Sequence, residues 1–117
     1  MSAGNQIILP SPPDQPKAVD MLAEVTRRIG EVRSAILAEG ATALYVYGSR
    51  ARGDHRSDSD LDVFVDFEPG TGFSLLEIAG IKITLEGVLG LDVHVTTRAS
   101  LHPLLRDAIE REAVRVL

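Results

Sequence analysis

The residues best suited to chemistry are Gly48 and Ser49, followed after ten intervening residues by Asp60 and Asp62. Side chains of a strand alternate between its two faces, so Asp60 and Asp62 would project to one side, about 7 Å apart along the backbone. Two such carboxylates can bind the same hard cation, and Mg²⁺ typically takes one or two carboxylates together with substrate phosphate oxygens. The pattern therefore indicates a magnesium site, although two strand aspartates alone are more often solvated positions on an open sheet face.

The Gly-Ser pair that precedes the aspartates is suited to binding phosphate. Gly48 permits close approach of the backbone to a ligand, and Ser49 can offer its hydroxyl and nearby N–H groups at the start of a short helical turn. A Gly-Ser pair after a strand is by itself usually a turn, but opposite two aspartates it predicts a site that holds a triphosphate against a metal. Arg50 and Arg52 follow in the same loop, where they could contact phosphates or a partner, or form exposed surface ion pairs.

A third carboxylate, Asp92, interrupts an apolar run at 91–95. Because a half-buried carboxylate is costly without a partner, we expect a metal or another cation beside it. If this strand lies next to the one bearing Asp60 and Asp62, the three acids meet, and Asp92 could help to remove the proton of an attacking hydroxyl. His94 shares the strand face of Asp92; it could tune the metal site, but a hydrogen-bonded strand histidine is the simpler interpretation.

Hydrophobic periodicity predicts the elements that must position these residues. Three- and four-residue spacing predicts an amphipathic helix that ends at Gly40, Ser74 and Glu77 form a capping box, and Pro103 suits the first turn of a last helix. The predicted helices lie at 17–39, 74–89 and 103–112, and the predicted strands at 43–47, 61–67 and 91–95. We expect an α/β sandwich, a small mixed sheet with the acids on its open face and the first two helices on the other.

Composition limits the class of protein. The length of 117 residues fits one domain at 17–117, preceded by a proline-rich, mobile or loosely docked arm at 1–16. A net charge of -5 argues against a general nucleic-acid-binding surface. The sequence has no cysteine, no apolar stretch long enough for a membrane span and no signal-peptide pattern, so we expect a cytoplasmic protein.

From Ala43 onward the chain resembles the minimal nucleotidyltransferases of the DNA polymerase β superfamily, whose signature is Gly-Ser, ten residues, Asp-x-Asp and a later strand aspartate. The loop 48–53 and the closing run Leu-Arg-Asp-x-Ile-x-Arg-Glu-Ala-Val at 105–114 look most like small prokaryotic antitoxins encoded beside HEPN-domain toxins. The resemblance implies a polymerase β-like palm fold and transfer of AMP from ATP to a tyrosine of the partner toxin. It also implies site roles: triphosphate binding by Gly48 and Ser49, binding of two Mg²⁺ ions by Asp60 and Asp62, and binding of the catalytic ion by Asp92.

Two other functions remain compatible with the same residues. The protein could mask a toxin sterically with little or no catalysis, or it could transfer a nucleotide to a small molecule, as antibiotic-modifying relatives of the superfamily do. The sequence leaves open the preferred nucleotide, the acceptor, the number of nucleotides transferred and the oligomeric state.

Overall fold

The structure is a computed structural model that describes residues 18–53, 60–70 and 72–117, with side chains described from residue 22 onward. The predicted arm at 1–16 and the loop residues 54–59 lie outside the described residues.

A four-stranded mixed sheet forms the centre of the described chain, in the order β3-β2-β1-β4. Its strands are β1 Ala41–Tyr47, β2 Leu61–Phe67, β3 Val93–Thr97 and β4 Val114–Arg115. The helices are α1 Ala18–Glu31, α2 Arg33–Ala38, α3 Ser49–Arg52, α4 Leu75–Leu89 and α5 Arg106–Glu112, with a 3₁₀ turn at Arg98–Ser100. β1 runs antiparallel to β2 and β4, whereas β2 and β3 are parallel. The predicted α/β class and mixed sheet are confirmed. No helix among the described residues has the length and apolar character needed to span a membrane.

The strand predictions hold best where the pattern is local. β2 has the predicted bounds, β1 begins two residues before its predicted start at Ala43, and β3 begins at Val93 instead of Leu91. β4 was not predicted, because two residues carry no periodic signal; it exists through its pairing with β1, where Val114 lies opposite Val46.

The predicted continuous helix over 17–39 is wrong, because the chain breaks it into α1 and α2 at Val32. The backbone of Val32 leaves helical geometry at φ -115 and ψ 17. A glycine inside a helix lowers helix stability by about 1 kcal/mol relative to alanine. Gly30, just before the break, therefore weakens the helix at this place. α2 ends where predicted, since Gly40 takes a positive φ of 98.

The aliphatic core lies between the sheet and the helices α1, α2 and α4. The fully buried side chains of this core come from both layers: Ile29, Ile36, Leu44, Val46, Leu61, Val63, Ile81, Leu85 and Val93. The opposite sheet face is only partly open. There Tyr45 stacks on Phe64 at 4.8 Å between ring centroids, and the Arg98 guanidinium lies over both rings.

Helix α4 begins with the predicted capping box, in which the Leu76 N–H donates to the Ser74 hydroxyl and the Ser74 N–H to Glu77. Its apolar residues surround the helix, so the core covers only some of them. Leu75, Leu76 and Ile83 are 82%, 77% and 68% exposed. An exposed apolar group of this kind is typical of a surface that binds another macromolecule.

The two kinds of apolar residue on α4 provide a matched test of the core. Leu85→Ala should lower the free energy of unfolding by about 2–5 kcal/mol, because Leu85 is fully buried and its loss leaves a cavity. Ile83→Ala, on the same helix but exposed, should change it by less than about 0.5 kcal/mol. Urea denaturation followed by circular dichroism measures both. Equal losses would show that Ile83 is covered in solution.

Candidate active site

One row of the sheet brings the predicted site residues together. Asp62 of β2 lies opposite Tyr47, the last residue of β1, and opposite His94 of β3. Directly paired residues project to the same face, so Tyr47, Asp62 and His94 all lie on the sheet face opposite α1, α2 and α4. Asp60 lies two residues before Asp62, just ahead of β2, and Gly48 follows Tyr47. The row therefore joins the Gly-Ser turn, both aspartates and β3.

His94, which the sequence left as a strand histidine, is the β3 residue in contact with the acids. Its Nε2 lies 2.8 Å from Oδ2 of Asp60, and the two side chains are 65% and 42% exposed respectively. The expectation of a hydrogen-bonded histidine is met, but its partner is one of the two site aspartates. His94 is therefore a residue of the candidate site.

Asp92 is not placed as the sequence predicted. It precedes β3 and is exposed, so the argument from a half-buried strand carboxylate is wrong. The cause lies at Val93, whose N–H donates to Glu86 of α4 at 3.0 Å and whose carbonyl accepts from Lys82 Nζ at 2.6 Å. These contacts fix the start of β3 one residue after Asp92. The Asp92 carbonyl still accepts from the Leu61 N–H at 3.0 Å, which keeps this segment beside β2.

Position 48 requires glycine, because a side chain there would lie too close to Asp62. Its φ of 79 and ψ of -154 lie in a region that is essentially confined to glycine. A Cβ at this position would lie 2.9 Å from Oδ2 of Asp62. The backbone of the turn and the Asp62 carboxylate are therefore in close approach, while the expected approach of Gly48 to a ligand stays a prediction.

The turn continues into the four-residue helix α3, which begins at Ser49 as predicted. Arg50 is 2% exposed, so the expectation of an exposed arginine is wrong for this residue. Burial lowers the pKa of its guanidinium, while the charge of Asp60 raises it. Arg50 thus lies behind the acids, in the packed layer, where it adds positive charge near Asp60. Arg52 is half exposed and pairs with Glu112 at 3.1 Å.

The electrostatics of the site favour addition of positive charge. Burial raises the pKa of Asp62, and the neighbouring Asp60 carboxylate raises it further, whereas His94 lowers it. Two carboxylates close together on one face are the arrangement that a divalent cation stabilises.

The side chains at this site supply part of the coordination that Mg²⁺ requires. Two carboxylates meet the usual protein contribution to a magnesium site, with the remaining positions left to water and phosphate oxygens. No group of three or more His, Cys, Asp or Glu side chains among the described residues has the geometry to hold a metal ion. The protein can therefore supply Asp60 and Asp62, and a bound triphosphate would supply the rest.

Glu112 is the site residue that sequence reasoning missed. From the end of α5, its Oε2 accepts a hydrogen bond of 2.7 Å from the Gly48 N–H, although the two residues are 64 positions apart. Its charge also acts on Tyr47, whose pKa is raised by burial first and then by Asp62 and Glu112. No local pattern announces such a contact, since it depends on where α5 packs.

Comparison with known proteins gives a consistent family. Residues 29–116 match the family described as nucleotidyltransferase domain. A Methanocaldococcus jannaschii protein provisionally named protein adenylyltransferase MJ0435 is 43% identical over 94 residues, which cover 80% of this chain and 96% of the relative.

Solved structures agree on the fold. One described provisionally as a minimal nucleotidyltransferase superposes with a TM-score of 0.64 at 36% identity, over 85% of this chain and 95% of the other. A complex of tri-AMPylated HEPN toxin with MNT antitoxin from Shewanella oneidensis gives a TM-score of 0.58 at 16% identity, over 83% and 72% of the two chains. At that identity the likeness concerns the fold alone.

The contact between Gly48 and Asp62 can be tested by a double-mutant cycle. Gly48→Ala should destabilise the protein by about 1–3 kcal/mol from backbone strain, with an added cost from the carboxylate. Gly70→Ala is the control, because Gly70 also has a φ of 79 but nothing within 4 Å of the added Cβ. In an Asp62→Ala background the added cost should disappear, which denaturant unfolding of the four proteins measures. An unchanged cost would contradict the close approach.

The raised pKa of Asp62 predicts a stability that depends on pH. A folded-state pKa above the unfolded value makes ionisation of Asp62 unfavourable, and the cost develops as pH rises from the unfolded to the folded pKa and persists above it. Without divalent cations, Asp62→Asn should therefore raise the free energy of unfolding at pH 7. The gain should vanish below about pH 3.9, the ordinary aspartate value. Asp107→Asn, an exposed charge control on α5, should give no comparable gain.

Proposed function

The chain belongs to the nucleotidyltransferase domain family, and from that premise we propose that it transfers AMP from ATP to a hydroxyl of a partner protein. The main support for the proposal is that the paired strands bring Asp62 and His94 together, with Gly48 against Asp62 and Asp60 in contact with His94. A turn suited to phosphate lies against two carboxylates suited to Mg²⁺. The names of its relatives, protein adenylyltransferases, support AMP as the transferred group.

The reaction is a phosphoryl-type displacement at the α-phosphorus of ATP. The acceptor oxygen forms a bond to that phosphorus, the bond to the bridging oxygen breaks, and pyrophosphate leaves with the electron pair. Mg²⁺ bound to Asp60 and Asp62 would neutralise the charge that develops on the phosphate oxygens. Ser49 would bind the triphosphate through its hydroxyl, and Gly48 would let the backbone approach it.

Asp92 keeps the role first assigned to it, and His94 gains a separate role beside the acids. We keep Asp92 as a candidate ligand of the catalytic ion, since its segment runs beside β2. His94 is already in contact with Asp60 and can orient that carboxylate. The acceptor proton would pass to Asp92 or to solvent as the new bond forms.

The proposed partner is a HEPN-domain toxin, for which this chain would be the antitoxin. The described residues form one sheet with its helices and include no second lobe that could enclose an acceptor, so a partner surface would complete the site. The exposed Leu75, Leu76 and Ile83 of α4 offer an apolar surface for such a partner. The fold shared with an MNT antitoxin supports the same pairing.

The test is to incubate the protein with the product of its neighbouring gene, Mg²⁺ and each nucleoside triphosphate, and to weigh both proteins intact by mass spectrometry. With ATP, the partner should gain the mass of one or more AMP groups. Asp60→Ala and Asp62→Ala should each reduce the rate by at least about 10³-fold, because each removes a proposed metal ligand. EDTA should have the same effect on the unaltered protein.

Matched variants separate the proposal from its rivals. Asp107→Ala removes an exposed acid of α5 and should keep full activity. Asp92→Ala should cost less than Asp62→Ala, because Asp92 is exposed and precedes β3. The toxin could instead be bound and neutralised without any gain in mass, and equally well by the Asp60→Ala/Asp62→Ala protein. That result would show that the protein acts by steric masking and not by transfer.

A further inference from the structure

Glu112 ties the end of α5 to both ends of the Gly-Ser turn. Its Oε2 accepts from the Gly48 N–H at 2.7 Å, and its Oε1 lies 3.1 Å from Nη1 of Arg52, the last residue of α3. The Glu112 side chain is 25% exposed and its contact with Gly48 is partly shielded from water, whereas its contact with Arg52 lies at the surface. A carboxylate bound to a backbone N–H and to a guanidinium makes two charge-assisted hydrogen bonds, which are stronger than neutral ones.

The turn is thereby fixed from two sides. On one side, Gly48 approaches Asp62 so closely that a Cβ would lie 2.9 Å from its carboxylate. On the other side, Glu112 takes the Gly48 N–H. That N–H is therefore unavailable to phosphate, and its role is to set the direction in which the chain enters α3.

Glu112 is itself held in place by the packing of α5 on the sheet. Glu110, two residues earlier, accepts from Nη1 of Arg98 at 2.7 Å, and Val114 pairs with Val46 of β1. The carboxylate is thus presented by an element anchored on both sides, not by a mobile surface side chain. This distinguishes it from the exposed ion pairs of α1, which have small energetic value.

We propose that Glu112 is a positioning residue of the transfer reaction, which holds Gly48 and Arg52 in the arrangement that binds the triphosphate. The inference rests on the proposed function, because it concerns the same site. Its loss should weaken binding of nucleotide more than it lowers the rate of the bound complex, since Glu112 contacts the turn and not the acids that hold the metal.

The test measures the dissociation constant of AMP-PNP with Mg²⁺ by isothermal titration calorimetry, alongside KM and kcat for ATP. Glu112→Ala should weaken binding and raise KM by about tenfold or more, with kcat within about threefold. Glu112→Gln keeps an oxygen that can accept from the Gly48 N–H and gives up the ion pair with the half-exposed Arg52, which has small energetic value. It should therefore restore affinity to within about threefold of the original protein. Asp107→Ala on the same helix should leave all three constants unchanged.

A second readout reports the contact without catalysis. In amide exchange followed by NMR, the Gly48 N–H should exchange at least about tenfold faster in Glu112→Ala than in Glu112→Gln. A folded Glu112→Ala protein with unchanged affinity and exchange would overturn the inference. If Glu112→Ala does not fold, Glu112→Gln decides alone: tenfold weaker binding by that variant would overturn it. Absence of transfer by the unaltered protein would instead count against the proposed function, because AMP-PNP binding is measured independently.

Discussion

The register of three strands is the constraint on which the site depends. One antiparallel pairing sets Tyr47 opposite Asp62, and one parallel pairing sets His94 opposite Asp62. Because side chains alternate with a period of two, a slip of one residue in β2 would turn Asp62 into the core and Val63 toward solvent. Complete burial of Leu61 and Val63 makes such a slip costly. The hydrophobic core therefore determines the alignment of the polar face.

Arg98 joins the far end of that face to the last helix. It pairs with Asp66 through two hydrogen bonds of 2.9 Å, donates to Glu110 at 2.7 Å, and lies over the rings of Tyr45 and Phe64. The planar guanidinium suits both kinds of contact at once, which a lysine could not reproduce. The two carboxylates raise the pKa of Arg98, so the cation persists at all physiological pH values. Through α5, this cluster sets the place from which Glu112 reaches the turn.

The sequence predicted those parts of the molecule that local signals determine. The alternation of β2 and the capping box at Ser74 are local, and both were predicted correctly. Burial of Arg50 and contact of Glu112 with Gly48 depend on how distant elements pack, and no spacing encodes them. Residue parity alone would place Asp92 and His94 on one strand face, but β3 begins at Val93, where Glu86 and Lys82 of α4 contact the backbone. The roles of the site residues stay predictions until the variants are measured.

The contact between Glu112 and Gly48 also has a consequence for biosynthesis. A nascent chain leaves the ribosome with its N-terminal part first, so β1, the turn and β2 emerge well before α5 and β4. Until then the β1 edge that β4 covers is unpaired, and such edges invite association with other chains. The Gly48 N–H likewise lacks its acceptor during this interval. On the role proposed for Glu112, a chain that has not yet released residues 112–115 should bind nucleotide more weakly than the finished protein.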